Sequence, residues 1–462
     1  MKFYNRKEEL KELAFFNKKR PSMLVITGRR RVGKTELIKR VEGAYLFVDF
    51  EKPENLLIQE FFSELKKNAD TNSFIKVDAW DEFLKLAFEL SKTQKVTLIF
   101  DEFQRFLKIN PSVIYQLQKY WDIYKDKSKI FLVFSGSSIG MIKKIFIEQN
   151  SPLFKRAQNI LYIQQFDFQT INEMLVDFGI KNFEEKIKIY SIFGGIIYYY
   201  SLMDFFEAKA FGAVLNKLIL RNFAPLKDEI RDIFVEEFGK EHNTYYSILS
   251  AMSAGKSTKK EIGDVVNIKE TSLSPYFYDL IELLGIVEYK LPIFEKANSK
   301  RGRYFIKDSF FKFWFKFIFP NKSQYELGNF DYINKILARD FNSFVGRQFE
   351  EFCRELVENK KMDIMFTPEK AGSWWSRKGE EIDIVAVNEK ENKILFAECK
   401  WAENVDAESV LNGLKNKAKY IEWNKTKRTE HYAVFAKSFK KKIKEDYVML
   451  FDLKDIEKAF HR

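Results

Sequence analysis

The sequence predicts an α/β protein of several domains, and three observations lead to that expectation. The chain has 462 residues, which is too long for one ordinary hydrophobic core and suggests about three domains. Its first part alternates short apolar strands with helical stretches, a pattern typical of a parallel sheet covered on both faces. Its last part begins with a helix and then turns to strands, which indicates a second, smaller α/β domain.

The alternating segment covers residues 1–165. The apolar run at residues 23–27 ends in a glycine loop, as a buried parallel strand does. A helix is predicted at residues 34–41. Three further strands are expected at residues 44–50, 96–100 and 130–134, where β-branched and aromatic residues dominate.

The rest of the chain separates into four segments. Residues 166–240 have a helical pattern that Gly194 and Gly195 interrupt. Residues 241–320 give two short helices followed by β-like runs, and residues 321–340 are expected to be a linker. Residues 341–462 hold the helix and strands of the last domain.

Composition points to a soluble protein that contacts polyanions. No apolar run approaches the roughly 20 residues of a membrane-spanning helix, so no membrane association is expected. The two cysteines suit neither a disulfide framework nor zinc, and together with the lack of a signal peptide they predict a cytoplasmic protein. The net charge of +12 favours DNA as a partner, although a lysine-rich source proteome would explain that charge equally well.

The loop after the first strand matches the phosphate-binding pattern GxxxxGK[ST]. Its backbone N–H groups would face the β-phosphate of ATP, the lysine would reach the β- and γ-phosphates, and the threonine hydroxyl would ligate Mg²⁺. The strand before it and the helix after it supply the required context. The predicted nucleotide-binding residues are Gly28, Arg29, Arg30, Arg31, Val32, Gly33, Lys34 and Thr35.

A second part of this site follows the strand at residues 96–100. Asp101 would hold Mg²⁺ through water, and Glu102 would orient and deprotonate the attacking water. An acidic pair after an apolar strand is a weak signal alone, but together with the phosphate-binding loop it is the Walker B arrangement. Ser135 and Ser137, at the end of the next strand, are candidates for contact with the γ-phosphate or the catalytic water, or lie in an ordinary turn.

The middle segment has the element order of a winged helix-turn-helix. Helices at residues 259–267 and 272–284 are followed by a hairpin whose wing carries Lys300, Arg301 and Arg303. A recognition helix normally presents polar or basic residues to DNA, whereas this one also carries acids. DNA contact through the basic wing and a packing or protein-contact role therefore both stay open.

The last domain carries the acids of a PD-(D/E)xK nuclease in the expected order. Glu350 (or Glu351) lies on a helix, Asp383 in a strand, and Glu398 and Lys400 in the next strand. Because alternate residues of a strand share a face, Glu398 and Lys400 would point together towards Asp383. The acids would then hold a second Mg²⁺ or Mn²⁺, with Lys400 assisting catalysis. A nuclease fold that has lost its activity, or a plain structural domain, would leave the same pattern.

Several of these stretches together resemble the archaeal-type AAA+ ATPase family, which is related to the STAND signalling NTPases. The resemblance rests on residues 3–10, the phosphate-binding loop, residues 100–104 and residues 136–137. It implies an AAA+ core at 1–165 and a helical lid at 166–240. It also implies that Asn5 and Arg6 lie near the adenine, and that Ser135 or Ser137 is the sensor 1 residue.

Two further stretches extend the resemblance. Residues 151–156 resemble the family's SPL-x-x-R stretch, which makes Arg156 a candidate for γ-phosphate contact or an arginine finger. Residues 194–196 resemble the lid element GG-x-P, with Ile197 in place of the usual proline. The C-terminal residues 374–375, 379–385 and 398–401 resemble the DUF234 domain that is often fused to this ATPase and belongs to the nuclease-like superfamily.

The sequence supports two classes of function. In the first, an ATPase couples nucleotide hydrolysis to DNA binding or metal-dependent DNA cleavage. In the second, the chain is a STAND-like nucleotide switch whose winged helix and inactive nuclease-like domain bind a protein partner. A DNA translocase and a homo-oligomer are also compatible with the sequence.

Overall fold

The computed structural model describes residues 2–72, 74–238 and 242–460, and in it the chain divides into two compact units. The first unit holds the chain up to Asp167 together with residues 195–201 and 277–285. The second holds residues 168–194, residues 202–276 and the chain from Ile286 onward. The boundary predicted between residues 240 and 241, and the outer ends of the first and last predicted domains, lie outside the described residues.

The first unit is built around a parallel sheet in the order β2-β3-β4-β1-β5. Its strands are β1 (Ser22–Thr27), β2 (Ala44–Phe47), β3 (Val96–Asp101), β4 (Ile130–Gly136) and β5 (Asn159–Tyr162). Its helices are α1 (Lys7–Lys18), α2 (Lys34–Ile38), α3 (Glu54–Asn68), α4 (Trp80–Leu90), α5 (Phe106–Ile109), α6 (Ser112–Tyr124) and α7 (Ile139–Phe146), with a 3₁₀ turn at Phe103–Arg105.

Burial explains why these runs form central strands. Every residue of β1, β3 and β4 is buried, which is the condition of a parallel sheet with helices on both faces. Helices α3, α4 and α6 contribute the aromatic side chains Phe61, Trp80 and Tyr120 to the core on one face. The carboxyl ends of β1, β3 and β4 therefore meet at one sheet edge, where ligands bind in open α/β folds. The predicted parallel sheet is confirmed.

The helical part of the second unit follows the sheet in the sequence. Helices α10 and α15 each also contribute residues to the first unit. The helices are α8 (Phe168–Asp177), α9 (Phe183–Phe193), α10 (Ile197–Phe205), α11 (Phe211–Val214), α12 (Glu229–Phe238), α13 (Asn243–Ser253), α14 (Lys259–Val266), α15 (Ser274–Tyr278), α16 (Ser309–Phe313) and α17 (Lys322–Glu326). Shorter 3₁₀ or π turns lie at Leu215–Ile219, Glu270–Leu273, Trp314–Ile318 and Phe319–Asn321. A further π turn, Asp279–Leu283, belongs to the first unit.

A two-stranded antiparallel hairpin lies between α15 and α16. It pairs β6 (Val287–Lys290) with β7 (Arg303–Ile306). Helix α14 begins with a capping box in which the Thr258 side chain and Glu261 satisfy each other's backbone N–H groups. The predicted helices at residues 259–267 and 272–284 correspond to α14 and to a helical segment at residues 270–283, and the hairpin follows them. Helix α13, which precedes them, is an addition to the predicted order.

Most of the segment predicted as a linker, residues 321–340, is helical. Helix α18 (Phe330–Glu358) is 29 residues long, which corresponds to roughly 43 Å at 1.5 Å per residue. Ile333, Leu337 and Phe341 are buried along it, so the helical repeat of apolar residues starts well before the predicted domain boundary at residue 341. The Asn329 side chain caps the helix by accepting from the Tyr332 N–H at 3.3 Å.

The C-terminal part of the second unit is a mixed sheet in the order β12-β11-β10-β9-β8. Its strands are β8 (Lys370–Trp375), β9 (Glu381–Asn388), β10 (Lys393–Lys400), β11 (Thr429–Ala436) and β12 (Val448–Phe451), with helices α19 (Ala407–Ala418) and α20 (Leu453–Lys458). Strands β8 to β10 are antiparallel and β10 to β12 parallel. Leu411 and Leu414 of α19 pack on the sheet residues Val385 and Phe396.

These two sheets confirm the predicted fold class, an α/β protein with a parallel nucleotide-binding type of sheet and a separate mixed sheet in the C-terminal part of the chain. Among the described residues, no helix combines the length and the apolar character that a membrane crossing requires.

Candidate functional site

The predicted phosphate-binding loop joins the end of β1 to the start of α2. Gly28 has no room for a side chain, because a Cβ there would lie 2.4 Å from the backbone oxygen of Ile163. Gly33 has a φ of +91°, a left-handed conformation that glycine adopts at little cost. Val32 is 1% exposed, while Arg29 and Arg30 are half-buried in the loop. The loop thus has the tight, glycine-dependent backbone that a phosphate cradle requires.

Lys34 lies across this loop. Its Nζ donates to the backbone oxygens of Gly28 at 2.9 Å and Arg29 at 2.8 Å, and the residue is 6% exposed. An ammonium group over the loop is in position for the β- and γ-phosphates of a nucleotide.

Thr35 and Asp101 are brought together as the sequence predicts. The Thr35 Oγ1 donates to Asp101 Oδ2 at 3.0 Å, and the backbone N–H of Glu102 donates to Asp101 Oδ1 at 3.1 Å. A threonine hydroxyl bonded to a strand-end carboxylate is the pair that holds Mg²⁺ in P-loop proteins.

Tyr45 is a member of this group that the sequence did not reveal. Its hydroxyl donates to the same Asp101 Oδ2 at 2.7 Å, and burial, followed by the charge of Asp101, raises the pKa of Tyr45. Tyr45 reaches Asp101 because β2 pairs with β3 in parallel, with Phe47 opposite Asp101. That register is not readable from the sequence.

Glu102 is held next to the pair by two neutral donors. The Ser137 Oγ donates to Glu102 Oε2 at 2.8 Å, and the Gln104 amide donates to the same oxygen. Burial opposes ionisation of Glu102, but Lys34, Gln104 and Ser137 outweigh it and lower the pKa of this carboxyl. Glu102 is therefore an oriented, ionised carboxylate, as a general base for water needs to be at neutral pH.

Arg6 anchors the chain before α1 to this loop. Its guanidinium donates to the backbone oxygens of Val32 at 3.1 Å and Gln164 at 2.6 Å, and it stacks on Phe166 at 4.2 Å. Asn5 and Arg6 both have positive φ values, of 50° and 65°. Adenine contact by these two residues stays a prediction, while the structure assigns Arg6 a role in fixing the loop.

Arg31 and the end of β4 complete the surroundings of the loop. The Arg31 guanidinium stacks on the ring of Tyr198 at 3.8 Å. Ser135 is fully buried, whereas Ser137 bonds Glu102, so Ser137 is the better candidate for sensor 1.

These residues fit ATP with Mg²⁺. The site consists of a glycine loop, one ammonium group and a hydroxyl–carboxylate pair. Mg²⁺ usually binds one or two protein oxygens besides phosphates and water, and the hydroxyl–carboxylate pair supplies them.

Arg156 lies away from the phosphate-binding loop, which excludes γ-phosphate contact within its own chain. Its guanidinium donates to both carboxylate oxygens of Asp122, at 3.0 and 2.7 Å, and lines a surface cavity with Pro21. Pro21 precedes the first residue of β1 and Gly28 of the loop follows the last, so the two ends lie roughly 23 Å apart at 3.3 Å per strand residue. An arginine finger would have to serve a second copy, and that stays a prediction.

Both wing arginines bond to other groups of the protein. Arg301 bonds Glu295 and the backbone oxygen of Trp375. Arg303 donates to Glu381 at 2.5 Å and stacks on Trp375 at 5.0 Å. Of the three wing cations, only Lys300 is exposed.

Residues at the end of the predicted recognition helix also contact other residues of the first unit. Glu282 pairs with Lys143 of α7 at 2.6 Å. A Cβ on Gly140 would lie 2.0 Å from the Leu283 side chain, so these two elements approach as closely as a glycine permits. These contacts favour a packing role for residues 277–285.

The C-terminal acids are brought into one neighbourhood. Asp383 lies one residue beyond the Ile384–Ala397 pair, opposite Glu398. Asp383 Oδ2 accepts from the Cys399 N–H at 2.8 Å, and the Lys400 Nζ donates to Glu398 Oε2 at 2.8 Å. The predicted juxtaposition of Asp383, Glu398 and Lys400 is thus what the strands produce.

Electrostatics shows that Glu350 of α18 belongs to the same neighbourhood. Burial, followed by the charge of Asp383, raises the pKa of Glu350 to about 8. Burial, followed by the negative charge of Glu398, raises the pKa of Asp383 to about 6. Burial alone would lower the pKa of Lys400, but Glu398 and Asp383 raise it.

Glu351, the alternative to Glu350, has a different role. It bonds Lys290 at 3.3 Å and Lys312 at 2.5 Å. Burial would raise the pKa of Glu351, but these two lysines lower it to about 2. Glu351 therefore joins β6, α16 and α18, and Glu350 is the residue that faces the acids.

Lys417 of α19 is a further residue of this site that could not be predicted from the sequence. Its Nζ donates to Glu398 Oε1 at 2.6 Å, so both oxygens of Glu398 are bonded by lysines. A lysine on a helix outside the ExK motif gives no sequence signal, because its position depends on how α19 packs on the sheet.

As it stands, this carboxylate site does not fit a second Mg²⁺ or Mn²⁺. Within residues 2–72, 74–238 and 242–460, no three acidic, histidine or cysteine side chains come together as a metal ion would need. Both oxygens of Glu398 are taken by ammonium groups, and one oxygen of Asp383 by a backbone N–H.

Two protein families match the sequence. Residues 3–202 match a family described as an ATPase domain predominantly from Archaea. Residues 314–410 match DUF234, described as archaeal and bacterial proteins of unknown function. An uncharacterised protein of Methanocaldococcus jannaschii is 35% identical over 466 residues, covering 98% of this chain and 99% of that protein.

Solved structures add a likeness in fold. A Walker-type ATPase of Pyrococcus abyssi aligns with a TM-score of 0.53 at 17% identity, over 68% of this chain and 96% of that chain. The ORC2 protein of Aeropyrum pernix aligns with a TM-score of 0.46 at 14% identity, over 71% and 96% of the two chains. The likeness to the Pyrococcus abyssi protein concerns the fold alone.

Proposed function

The chain belongs to the family of predominantly archaeal ATPases that carry a DUF234 domain in the carboxyl half, and on that premise we propose that it hydrolyses ATP at the carboxyl edge of its parallel sheet. The observation that carries the proposal is the linked set of side chains at this edge. Thr35 bonds Asp101, and Ser137 bonds Glu102, beside the loop that Lys34 spans.

Each residue has a role that follows from its geometry. The backbone of residues 28–33 and the Lys34 ammonium bind the phosphates. A Mg²⁺ bound with the nucleotide neutralises phosphate charge, and Thr35 and Asp101 are the residues that would hold it. Glu102 orients the attacking water and accepts its proton, while Ser137 and Gln104 keep its carboxylate in place.

The proposal is tested by measuring ATP binding and phosphate release separately. Lys34→Ala should lose nucleotide binding. Glu102→Gln keeps the shape and the loop, so it should bind ATP normally but release phosphate about 100-fold more slowly. Equal turnover by Glu102→Gln and wild type, or no phosphate release by wild type with Mg²⁺, would contradict the proposal.

A second candidate function is DNA cleavage by the C-terminal domain, coupled to ATP turnover. The placement of Asp383, Glu398 and Lys400 in one site, with Glu350 facing them, favours it. The test is nicking of plasmid and single-stranded DNA with Mg²⁺ or Mn²⁺, with and without ATP. Nicking that disappears in Asp383→Ala supports cleavage; no nicking by the wild type under any of these conditions rules it out.

A nucleotide switch that binds a protein partner is the alternative, and the occupied wing arginines favour it over DNA contact. Arg301 and Arg303 already bond protein groups, which leaves less basic surface for phosphates. Slow turnover, tight ADP binding and a nucleotide-dependent change in oligomer size would support the switch. If oligomers form, Arg156→Ala should lower ATPase activity only in the assembled state.

A further inference from the structure

The carboxylate of Glu398 is the most heavily neutralised acid in the C-terminal site. Its side chain is 5% exposed, and its two oxygens accept separately from Lys400 at 2.8 Å and Lys417 at 2.6 Å. A buried carboxylate needs such partners, and here each of the two Glu398 oxygens accepts from one ammonium group.

The two lysines differ in origin. Lys400 belongs to the ExK pattern and lies two residues from Glu398 on the same face of β10, so its place follows from the strand itself. Lys417 comes from the last turn of α19, on a separate element that packs over this face of the sheet. A cation is favoured there by the negative end of the helix dipole.

We propose that the Lys417 ammonium occupies the place beside Glu398 where a divalent cation would bind, so that the carboxylate site is a divalent-cation site held closed by the chain's own lysine. The paired strands place Asp383 opposite Glu398, so two carboxylates would face a cation at the place that Lys417 now takes. A divalent ion at the same oxygen would repel Lys417 at short range in a poorly solvated site.

The closure is reversible, because Lys417 is partly exposed to solvent. Its side chain is 35% exposed, against 5% for Glu398, so the ammonium can turn into solvent while the carboxylate stays buried. The aliphatic part of the lysine can remain packed during such a movement.

The inference rests on the second candidate function only in treating Asp383, Glu398 and Lys400 as one site. Its test measures cation binding and not DNA cleavage, so either idea can fail alone. The probe is Mn²⁺ itself, added to the full chain without nucleotide, with free Mn²⁺ counted by electron paramagnetic resonance.

Lys417→Met should bind one Mn²⁺ at least about tenfold more tightly than wild type. The gain should vanish in the double variant Lys417→Met/Glu398→Gln. Lys419→Met, which removes an exposed lysine from the residue just after the same helix, should behave as wild type. Lys417→Gln, a second variant of the same position, should reproduce the gain, and melting in EDTA should show that each variant is folded.

Three results would overturn the inference. One is an unchanged or weaker affinity for Mn²⁺ in both Lys417 variants. Another is a gain that survives the loss of Glu398. The last is a wild type that already binds Mn²⁺ tightly in a manner that Glu398→Gln abolishes.

Discussion

At the scale of single residues, Tyr45 is the side chain that the structure adds to the nucleotide site. Together with Thr35 it donates to Asp101 Oδ2, so it fixes the carboxylate that the metal would use. Tyr45→Phe keeps the aromatic ring but removes the hydroxyl group and its hydrogen bond to Asp101. A hydrogen bond to a charged group contributes about 1.5–3 kcal/mol.

We expect Tyr45→Phe to raise the Mg²⁺ concentration needed for half-maximal ATPase activity about tenfold, with a smaller change in kcat at saturating Mg²⁺. The measurement is phosphate release across a Mg²⁺ titration. Tyr115→Phe, at a tyrosine that is 59% exposed, is the matched control. An unchanged Mg²⁺ requirement would mean that Thr35 and the Glu102 N–H position Asp101 without Tyr45.

Glu350 gives a pH-dependent prediction. Its folded pKa of about 8 lies above its ordinary value of 4.5, so folding favours the protonated form. The contribution of Glu350 to the free energy of unfolding is therefore most favourable below about pH 4.5, and it declines as the pH rises towards about 8. Glu350→Gln, which removes the charge, should raise the Tm by roughly 2–5 °C at pH 8 and by less at pH 5.

Calorimetry at the two pH values checks this expectation. Glu351→Gln is the opposing control, because two lysines lower the pKa of Glu351 and its charge is stabilising at neutral pH. A Tm that falls in Glu350→Gln at pH 8 would show that the carboxylate is ionised and paired.

At the scale of elements, the strands of the first unit could be predicted and the start of α18 could not. Runs such as residues 96–100 are largely apolar and are followed by an acidic pair, Asp101 and Glu102, so their place in a parallel sheet could be predicted. Residues 330–340 contain Asp331, Lys335 and Arg339 among their apolar residues, and only the continuation of Ile333 and Leu337 into the later helix reveals their state.

Sites whose residues lie on different strands or helices could likewise be predicted only in part. Asp383, Glu398 and Lys400 lie on paired strands at a readable spacing, so their proximity could be predicted. Tyr45 and Lys417 depend on a strand register and on helix packing, neither of which local sequence determines.

Helix α19 depends on Arg428, a buried arginine beyond its carboxyl end. The side chain is 1% exposed and donates to the backbone oxygens of Ile421 at 2.5 Å, Trp423 at 2.9 Å and Ala418 at 3.2 Å. Lysine cannot satisfy several carbonyl groups with one planar fork. Arg428→Lys should therefore lower the free energy of unfolding by about 2 kcal/mol.

Urea denaturation measures this change. Lys425→Met removes an exposed lysine from the same segment and should change the unfolding free energy by less than about 0.5 kcal/mol. Equal stability of Arg428→Lys and wild type would show that the carbonyl groups find other donors.

At the scale of the whole molecule, nucleotide binding should appear as stability. A ligand that binds only the folded protein at 100 times its Kd adds about 2.7 kcal/mol. MgATP should therefore raise the melting temperature of wild type in scanning calorimetry, and Lys34→Ala should show no shift. A shift of equal size in Lys34→Ala would place the nucleotide outside the loop at residues 28–35.

The edge of the C-terminal sheet has one more consequence, for the behaviour of many molecules together. Strand β8 is the outer strand, and the segment after β6 lies along it, with the Ile293 N–H donating to the Ser373 oxygen at 3.0 Å and Ile293 Cβ 3.3 Å from where a Cβ on Gly372 would be. An open edge strand recruits strands from neighbouring chains and starts aggregation. By bonding β8 at Ser373, the segment that contains Ile293 leaves less of this edge open to a strand of a neighbouring molecule.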